Sequence, residues 1–257
     1  MTTTATSEVL VEADSGILTI TINRPKQRNA MTLAAATVIA EALTRLDDDP
    51  KLSVAVLTGS SGTFCAGMDL KRFQLGERPV VEGRGFGGLV EAPPAKPLIA
   101  AVEGWALGGG FEMVLACDLV VAGAGARFGL PEVKRGLAAR AGGIFRAPRA
   151  SPRCGARNAL DREPITAQHA QTHGLVNRVV EDGTAVDAAH TLAMAISANA
   201  PLAVRASKAL ALDARTWTDA EAFERQSTYT DPVFASADAT EGAAAFTERR
   251  APRWQGR

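Results

Sequence analysis

Three stretches of the chain hold residues whose types and spacing can do chemistry. The first runs from Phe64 to Leu70, just after the glycine-bounded turn 59–62. Ala66 and Gly67 are small enough to let a ligand approach the backbone closely. Asp69 and Lys71 then open a short helix. N–H groups at a helix start lack partners of their own and can bind an oxyanion. The second stretch runs from Glu103 to Glu112 and holds Gly108, Gly109 and Gly110 in succession. Three glycines bare the N–H groups at the positive end of a helix dipole. Glu112 lies about one turn into that helix, beside whatever those groups hold. The third stretch, Phe128 to Val133, fixes Glu132 behind Pro131. A carboxylate there can face Glu112 as an acid/base pair. Each stretch also has an ordinary reading: a strand-to-helix turn, glycines that permit tight packing with Glu112 on the surface, and a solvated turn glutamate. Two strand–glycine–helix junctions in one chain favour an oxyanion hole more than either does singly.

The elements that must position these residues alternate. Residues 17–23 alternate apolar and Thr, which suits a half-buried strand stopped by Pro25. Leu33, Ala36, Ile39, Ala40, Leu43 and Leu46 have helical spacing behind a Thr32 cap. Strands are expected over 52–58, 98–103 and 119–122, with helices near 68–74 and 109–117 between them. That order predicts an α/β architecture with mostly parallel pairing. From about residue 185 the pattern is only helical, over 185–198, 201–215, 219–230 and 238–247. The chain therefore divides into a strand-bearing core over 1–200 and a helical region over 201–257. No internal period of 20–50 residues stands out.

Bulk properties exclude several classes. The 257 residues are 46% hydrophobic and 22% charged, an ordinary globular composition. Lys+Arg and Asp+Glu both number 28, so net charge gives no support to a polyanionic partner. Cys65, Cys117 and Cys154 lack paired spacing and read as free thiols of a reducing compartment. The opening Met1 to Ser7 has no basic region and no apolar core, so no signal peptide is expected. Leu98 to Ala126 is the most apolar stretch, but Glu103, Glu112 and Asp118 interrupt it, against a spanning helix. The expectation is a soluble cytoplasmic protein with no membrane and no nucleic-acid partner.

Taken together, these motifs resemble the enoyl-CoA hydratase/isomerase (crotonase) superfamily. The resemblance adds Asn23-Arg24-Pro25 with Asn29-Ala30, then Gly142-Gly143, Gly174 to Val180, and Glu241 to Arg257, in order along nearly the whole chain. The tail 245–254 is similar to the family's carnitinyl-CoA dehydratase branch. The resemblance implies a spiral of ββα units with a helical C-terminal region, assembled as a homotrimer or a dimer of trimers. It implies an oxyanion hole from the backbone N–H groups of Met68 and Gly109, and Glu112 and Glu132 as the catalytic carboxylates. Ala66, Asp69, Leu70 and Lys71 would line the CoA side, and Arg249 would reach a CoA phosphate. Retention of both glutamates implies an enoyl-CoA hydratase that adds water to a 2-enoyl-CoA thioester. Glu132 would be nearer the acid role and Glu112 would hold the water, with a shared or reversed assignment left open. Carnitinyl-CoA dehydratase, isomerase and non-catalytic CoA-ester-binding chemistry are the alternatives on the same scaffold. No cofactor is implied, because coenzyme A is part of the substrate.

The chain also departs from the family pattern. Residues 153–162 are one residue short, poor in large apolar side chains and hold an extra glycine, Gly155. Arg140 stands where a small or apolar residue is usual, which implies an altered acyl preference. Gly83 to Gly88 satisfies G-x-G-x-x-G, but no strand precedes it and Pro93-Pro94 follows, so it reads as a mobile loop near the acyl site. His169 and His173 are four apart on a predicted helix, but no third ligand accompanies them, so they read as surface or packing histidines and no metal is expected. No G-x-S-x-G supports a serine nucleophile. Cys65 reads as a small apolar neighbour of the oxyanion loop. Residues 134–157 hold seven Lys/Arg and no acids. With only Phe145 interleaved, CoA phosphates or solvent explain that charge better than nucleic acid does.

Overall fold

The computed structural model describes residues 7–161 and 163–257. Residues 1–6 of the opening stretch read as lacking a leader, and Arg162 of the atypical segment, lie outside them.

The chain opens with an antiparallel pair, β1 (Val9–Asp14) and β2 (Ile17–Ile22). β1 carries too little alternation to be foreseen. Helix α1 (Leu33–Asp48) starts where expected, with the Thr32 hydroxyl accepting from the Ala35 N–H. It buries Ala36, Ile39, Leu43 and Leu46 against the sheet. Strand β3 (Val54–Gly59) pairs parallel with β2. Helix α2 (Leu70–Gln74) follows, then a two-stranded hairpin of β4 (Val80–Val81) and β5 (Gly85–Phe86).

Next come β6 (Leu98–Val102), β7 (Trp105–Leu107) and α3 (Gly109–Val114). The same order recurs with β8 (Leu119–Gly123), β9 (Arg127–Gly129) and a helical turn over Pro131–Arg135. Two close-packed helices, α4 (Gly143–Ala150) and α5 (Pro152–Asp161), lead to β10 (Ile165–Thr166), α6 (Ala167–Thr172) and β11 (Arg178–Val180). The extra Gly155 now has a reason. A Cβ there would sit 2.4 Å from the Ala147 carbonyl carbon, so only glycine lets α5 lie against α4.

The long sheet runs β1-β2-β3-β6-β8-β11, parallel from β2 onward, as the alternating pattern predicts. A second sheet, β10-β9-β7, lies on its own with β7 and β9 parallel. Its strands have two or three residues each, too few to show periodicity in sequence. The chain thus repeats one cycle: a strand in the long sheet, a strand in the short sheet, then a helical start. This is the ββα spiral, and the expected α/β class is the observed one.

From α7 (Ala185–Ser197) onward the structure is helical: α8 (Pro201–Asp213), α9 (Asp219–Arg225), α10 (Ser227–Phe234) and α11 (Ala237–Glu248). The run expected over 219–230 is split between α9 and α10. α7 packs Ala185, Ala189 and Ala193 onto the sheet face of Val54, Val56 and Ile99. The Lys208 ammonium anchors α8 by pairing with Asp118 at 2.6 Å. No described helix is long and apolar enough to cross a membrane.

A buried ion pair ties the N-terminal segment to the turn before α2. Arg24 pairs with Asp69 at 3.0 Å and with Glu8 at 3.0 Å, and also donates to the Ala30 carbonyl. Asn29 accepts from the Arg24 N–H and donates to the carbonyls of Ser60 and Thr63. Removing one partner of a buried pair leaves the other charge uncompensated. Arg24→Met should therefore cost about 3–5 kcal/mol of stability, read as a lower midpoint in a denaturant titration. A midpoint within error of the parent would remove Arg24 from this role.

Candidate functional site

The short sheet sets the positions of the three chemical stretches. Cys65 bridges Ala106 in parallel, and Ala106 pairs with Phe128 in parallel. These three residues therefore form one row across three consecutive turns of the spiral. Three residues beyond the row stand Met68 and Gly109, and four beyond it stands Glu132. Residues far apart in sequence reach one edge because each cycle of the spiral leaves the short sheet at the same level.

The first predicted donor is Met68. Met31 bridges it in parallel, donating its N–H to the Gly67 carbonyl at 2.7 Å and accepting from the Asp69 N–H at 3.0 Å. Both neighbours of Met68 are thereby pinned, and its own N–H donates to no acceptor among the described residues. The second predicted donor, Gly109, is the first residue of α3, so its N–H has no acceptor within the helix. Glycine is required where these loops touch. A Cβ on Gly67 would lie 2.9 Å from the Leu107 carbonyl oxygen and 3.4 Å from the Gly109 nitrogen. A Cβ on Gly110 would lie 2.2 Å from the Cys65 carbonyl oxygen.

The two predicted carboxylates occupy different surroundings. Glu112 is buried within the first turn of α3, not on the surface. Its Oε1 accepts from the N–H groups of Ala141 at 2.7 Å and Gly143 at 2.9 Å. Burial raises its pKa, while those two donors and the nearby Arg146 guanidinium act to lower it. Glu132 opens the turn after β9, and its Oε1 would lie 3.1 Å from a Cβ on Gly108. It therefore sits directly against the residue preceding the Gly109 donor. Its buried Oε2 has no hydrogen-bond partner among the described residues. Burial, reinforced by the Glu112 charge, pushes Glu132 up to about 7.

The remaining predicted residues fare unequally. Ala66 lies beside the loop, its N–H donated to the Arg28 carbonyl, and Leu70 and Lys71 are exposed on the first turn of α2. Asp69 departs from its predicted ligand-lining place. It is buried, caps α2 by accepting from the Lys71 and Arg72 N–H groups, and pairs with Arg24. Burial opposes its charge, but Arg24 and those amides hold its carboxyl below the usual range. Its carboxylate is engaged by the start of α2 and by Arg24. Arg249 stands apart at the end of α11, in a left-handed conformation, and makes no hydrogen bond to the other predicted residues. The Cys65 thiol is pushed up to about 12 by burial, which fits the reading of an inert apolar neighbour.

One expectation around the site is corrected, at residues 83–88. Arg140 is exposed. Arg146, within the same basic stretch, is the cation that bears on Glu112, and it donates to the carbonyls of Val90 and Ala141. Glycine-rich 83–88 is not a loose loop. It forms the β4–β5 hairpin, seated with Phe86 against Gly109, Gly87 against Met113 and Gly88 against Ala36 and Ala40.

Bare paired donors can hold a developing negative charge on one oxygen. Beside them stand one carboxyl supported by N–H donors and another poised near neutrality. Comparison with known proteins shows the family. The enoyl-CoA hydratase/isomerase family profile matches residues 12–257. The enoyl-CoA hydratase EchA1 of Mycobacterium marinum superposes with a TM-score of 0.96 at 51% identity, covering 98% of this chain and 100% of that one. The mevalonyl-coenzyme A hydratase sidH of Aspergillus fumigatus is 41% identical over 93% of this chain and 91% of its own length. The carnitinyl-CoA dehydratase of Proteus mirabilis is 38% identical over 94% of this chain and 95% of its own. The chain belongs to the enoyl-CoA hydratase/isomerase family, and its fold is the crotonase fold.

The raised Glu132 pKa has a consequence for stability. The folded state holds this proton up to about pH 7, whereas an unfolded glutamate releases it near pH 4.3. Its contribution is fully present below the unfolded value and is lost as pH rises through the folded one. Glu132→Gln should accordingly raise the thermal midpoint at pH 8 and leave it nearly unchanged at pH 4. An equal shift at both pH values would contradict the assignment.

Proposed function

We propose that this protein is an enoyl-CoA hydratase, adding water reversibly across the double bond of a 2-enoyl-CoA thioester to give a 3-hydroxyacyl-CoA. The observation that carries this reading is the convergence, on one edge of the short sheet, of two unpaired N–H donors and two carboxyls in unlike environments.

Attack at C3 of a conjugated thioester moves an electron pair onto the thioester oxygen. The N–H groups of Met68 and Gly109 stabilise that oxygen; one such donor typically lowers the barrier by about 3–4 kcal/mol. Glu112 is the better-supported carboxylate, so it holds the water and takes its proton as the oxygen bonds to C3. Glu132 carries the proton near neutrality and delivers it to C2. A proton then returns from Glu112 to Glu132 through solvent before the next cycle. An isomerase needs to shuttle only one proton, and a binding protein needs no acid at all, so the paired carboxyls favour hydration. Phe86 against Gly109 supplies an apolar wall beside the reacting carbons. Ala66, Leu70, Lys71 and Arg249 are assigned to the coenzyme A side. No cofactor takes part in this scheme.

The test is the ultraviolet absorbance of crotonyl-CoA, whose conjugation is lost on hydration. The parent should bleach it, and Glu112→Gln and Glu132→Gln should each lower kcat by at least a hundredfold. In the parent, kcat/KM should fall as pH rises through about 7, because the acid is then deprotonated. The apparent values belong to the coupled pair. Failure on crotonyl-CoA, longer-chain and carnitinyl thioesters, despite tight binding, would overturn the hydratase reading.

Self-association through the C-terminal helices belongs to the same proposal. α8, α9 and α10 bury no residue fully within one chain, and Phe223, Phe234 and Phe246 are 76%, 82% and 87% exposed. Apolar surface of this kind favours a second copy as its cover. Sedimentation should give a trimer or a dimer of trimers, and Phe234→Glu should shift it toward smaller species. A monomeric parent would exclude the assembly.

A further inference from the structure

Away from the thioester site, the fold assembles three metal-ligating side chains that the sequence leaves apart. His169 lies within α6 and His173 at its C-terminal cap, one helical step of four apart, with ring centroids 4.5 Å from each other. Facing them from α5 is Cys154, whose Sγ lies 3.5 Å from His169 Nε2. One ligand atom from each of the three residues lies within 4.8 Å of the other two. The third ligand was missing from the sequence reading because it comes from a different helix.

We propose that Cys154, His169 and His173 form a binding site for a borderline-soft divalent metal ion, zinc being the best match, that fastens α5 to α6. A tetrahedral zinc ion with Zn–S about 2.3 Å and Zn–N about 2.0–2.1 Å requires an S···N edge of about 3.6 Å. The Cys154–His169 separation already meets that requirement, and closing the remaining edges takes side-chain adjustments of about 1 Å. One thiolate with two imidazoles selects zinc over hard oxygen-seeking ions. The Ser151 hydroxyl lies 3.1 Å from His173 Nδ1, placed to orient that ring or to occupy the fourth position with water. Ion uptake displaces the thiol proton to solvent. His169 is exposed and lines a cleft of about 230 Å³ between α5 and β10, which gives the ion access.

The placement answers a weakness in α5. The helix buries only Cys154, Gly155 and Asn158, none of them a large apolar side chain. α6, by contrast, sets Ala167 and Ala170 into the main core. A metal bridge would anchor the weakly held helix to the firmly held one. It would also bear on the thioester site from a distance. Asn158, one turn beyond Cys154, accepts from the Leu130 N–H at 3.0 Å, two residues before Glu132. The site takes part in no chemical step and does not depend on the hydratase reading.

The experiment is a titration of the metal-free, full-length protein with cobalt(II), followed by absorbance. One equivalent should give the near-ultraviolet thiolate-to-cobalt charge-transfer band and the visible bands of a four-coordinate ion, and zinc should bleach both. Cys154→Ser should abolish the charge-transfer band, and His169→Gln and His173→Gln should each weaken binding at least tenfold. Zinc should also slow amide hydrogen exchange across 152–161 in the parent but not in His169→Gln. The exposed His169 keeps the test independent of any folding defect at Cys154. Absence of the charge-transfer band in the parent, or its persistence in Cys154→Ser, would overturn the proposal.

Discussion

The site depends on a contact of backbone with backbone. Residues 65–68 lie directly on residues 107–110, so closely that an added Cβ on Gly110 would stand 2.2 Å from the Cys65 carbonyl oxygen. Only when the two segments touch without side chains can N–H groups from both point at one small volume. The parallel bridge from Cys65 to Ala106 sets the register of that contact, and the bridge from Met31 pins both neighbours of Met68. The buried Arg24–Asp69 pair then holds the start of α2, and with it the loop, at the required height. Each of these interactions acts at some distance from the reacting atoms. Together they remove the freedom the loop would otherwise have, and preorganised donors lower a barrier because they need not reorient during the reaction.

The same edge separates the two glutamates electrically. Glu112 receives two backbone N–H groups and the field of Arg146, whereas Glu132 has a buried oxygen without a partner and feels the charge of Glu112. Burial raises the pKa of both side chains, but only Glu112 has two neighbouring N–H donors and an Arg146 charge acting against that rise, so the two differ in how strongly they favour the acid. The division follows from position in the spiral. Glu112 sits within a helix start beneath the Ala141–Gly143 turn, and Glu132 stands in a short helical turn that offers it only its own backbone N–H and leaves its Oε2 without a donor.

Much of this was legible in the sequence, for a definable reason. Strands, the Thr32 cap and the glycine junctions are local signals that yield the α/β order, two helix starts able to bind an oxyanion and the two glutamates as candidates, whereas Met68 and Gly109 as the donors follow from the family resemblance. What failed to show depends on long-range packing. Arg140 and Arg146 stand in one basic stretch, and nothing in their spacing tells which is exposed and which has its charge bearing on Glu112. Asp69 at a helix start reads equally as a ligand-facing acid or as a cap, and only the buried Arg24 decides for the cap. The short sheet is invisible because three residues cannot display a period of two, yet it sets the register of the whole site. The hairpin at 83–88 is rich in glycine because its backbone packs against α1 and α3, not because it needs to be loose.

The atypical segment before residue 162 fits the same logic. A helix poor in large apolar side chains would ordinarily be held weakly by the core, because hydrophobic area is the main source of adhesion. α5 instead relies on contacts that need small or polar residues. Gly155 admits the backbone of α4, and Asn158 hydrogen-bonds to Leu130 and to the carbonyls of Phe128 and Glu163. Those bonds join α5 to the strand that delivers Glu132, while none of them touches Met68 or Gly109. Variation in this helix therefore acts on the Glu132 side of the site and leaves the loops of Met68 and Gly109 alone. The fold thus holds the Met68 and Gly109 N–H groups and the Glu132 carboxyl on separate supports, so the second can change without dismantling the first.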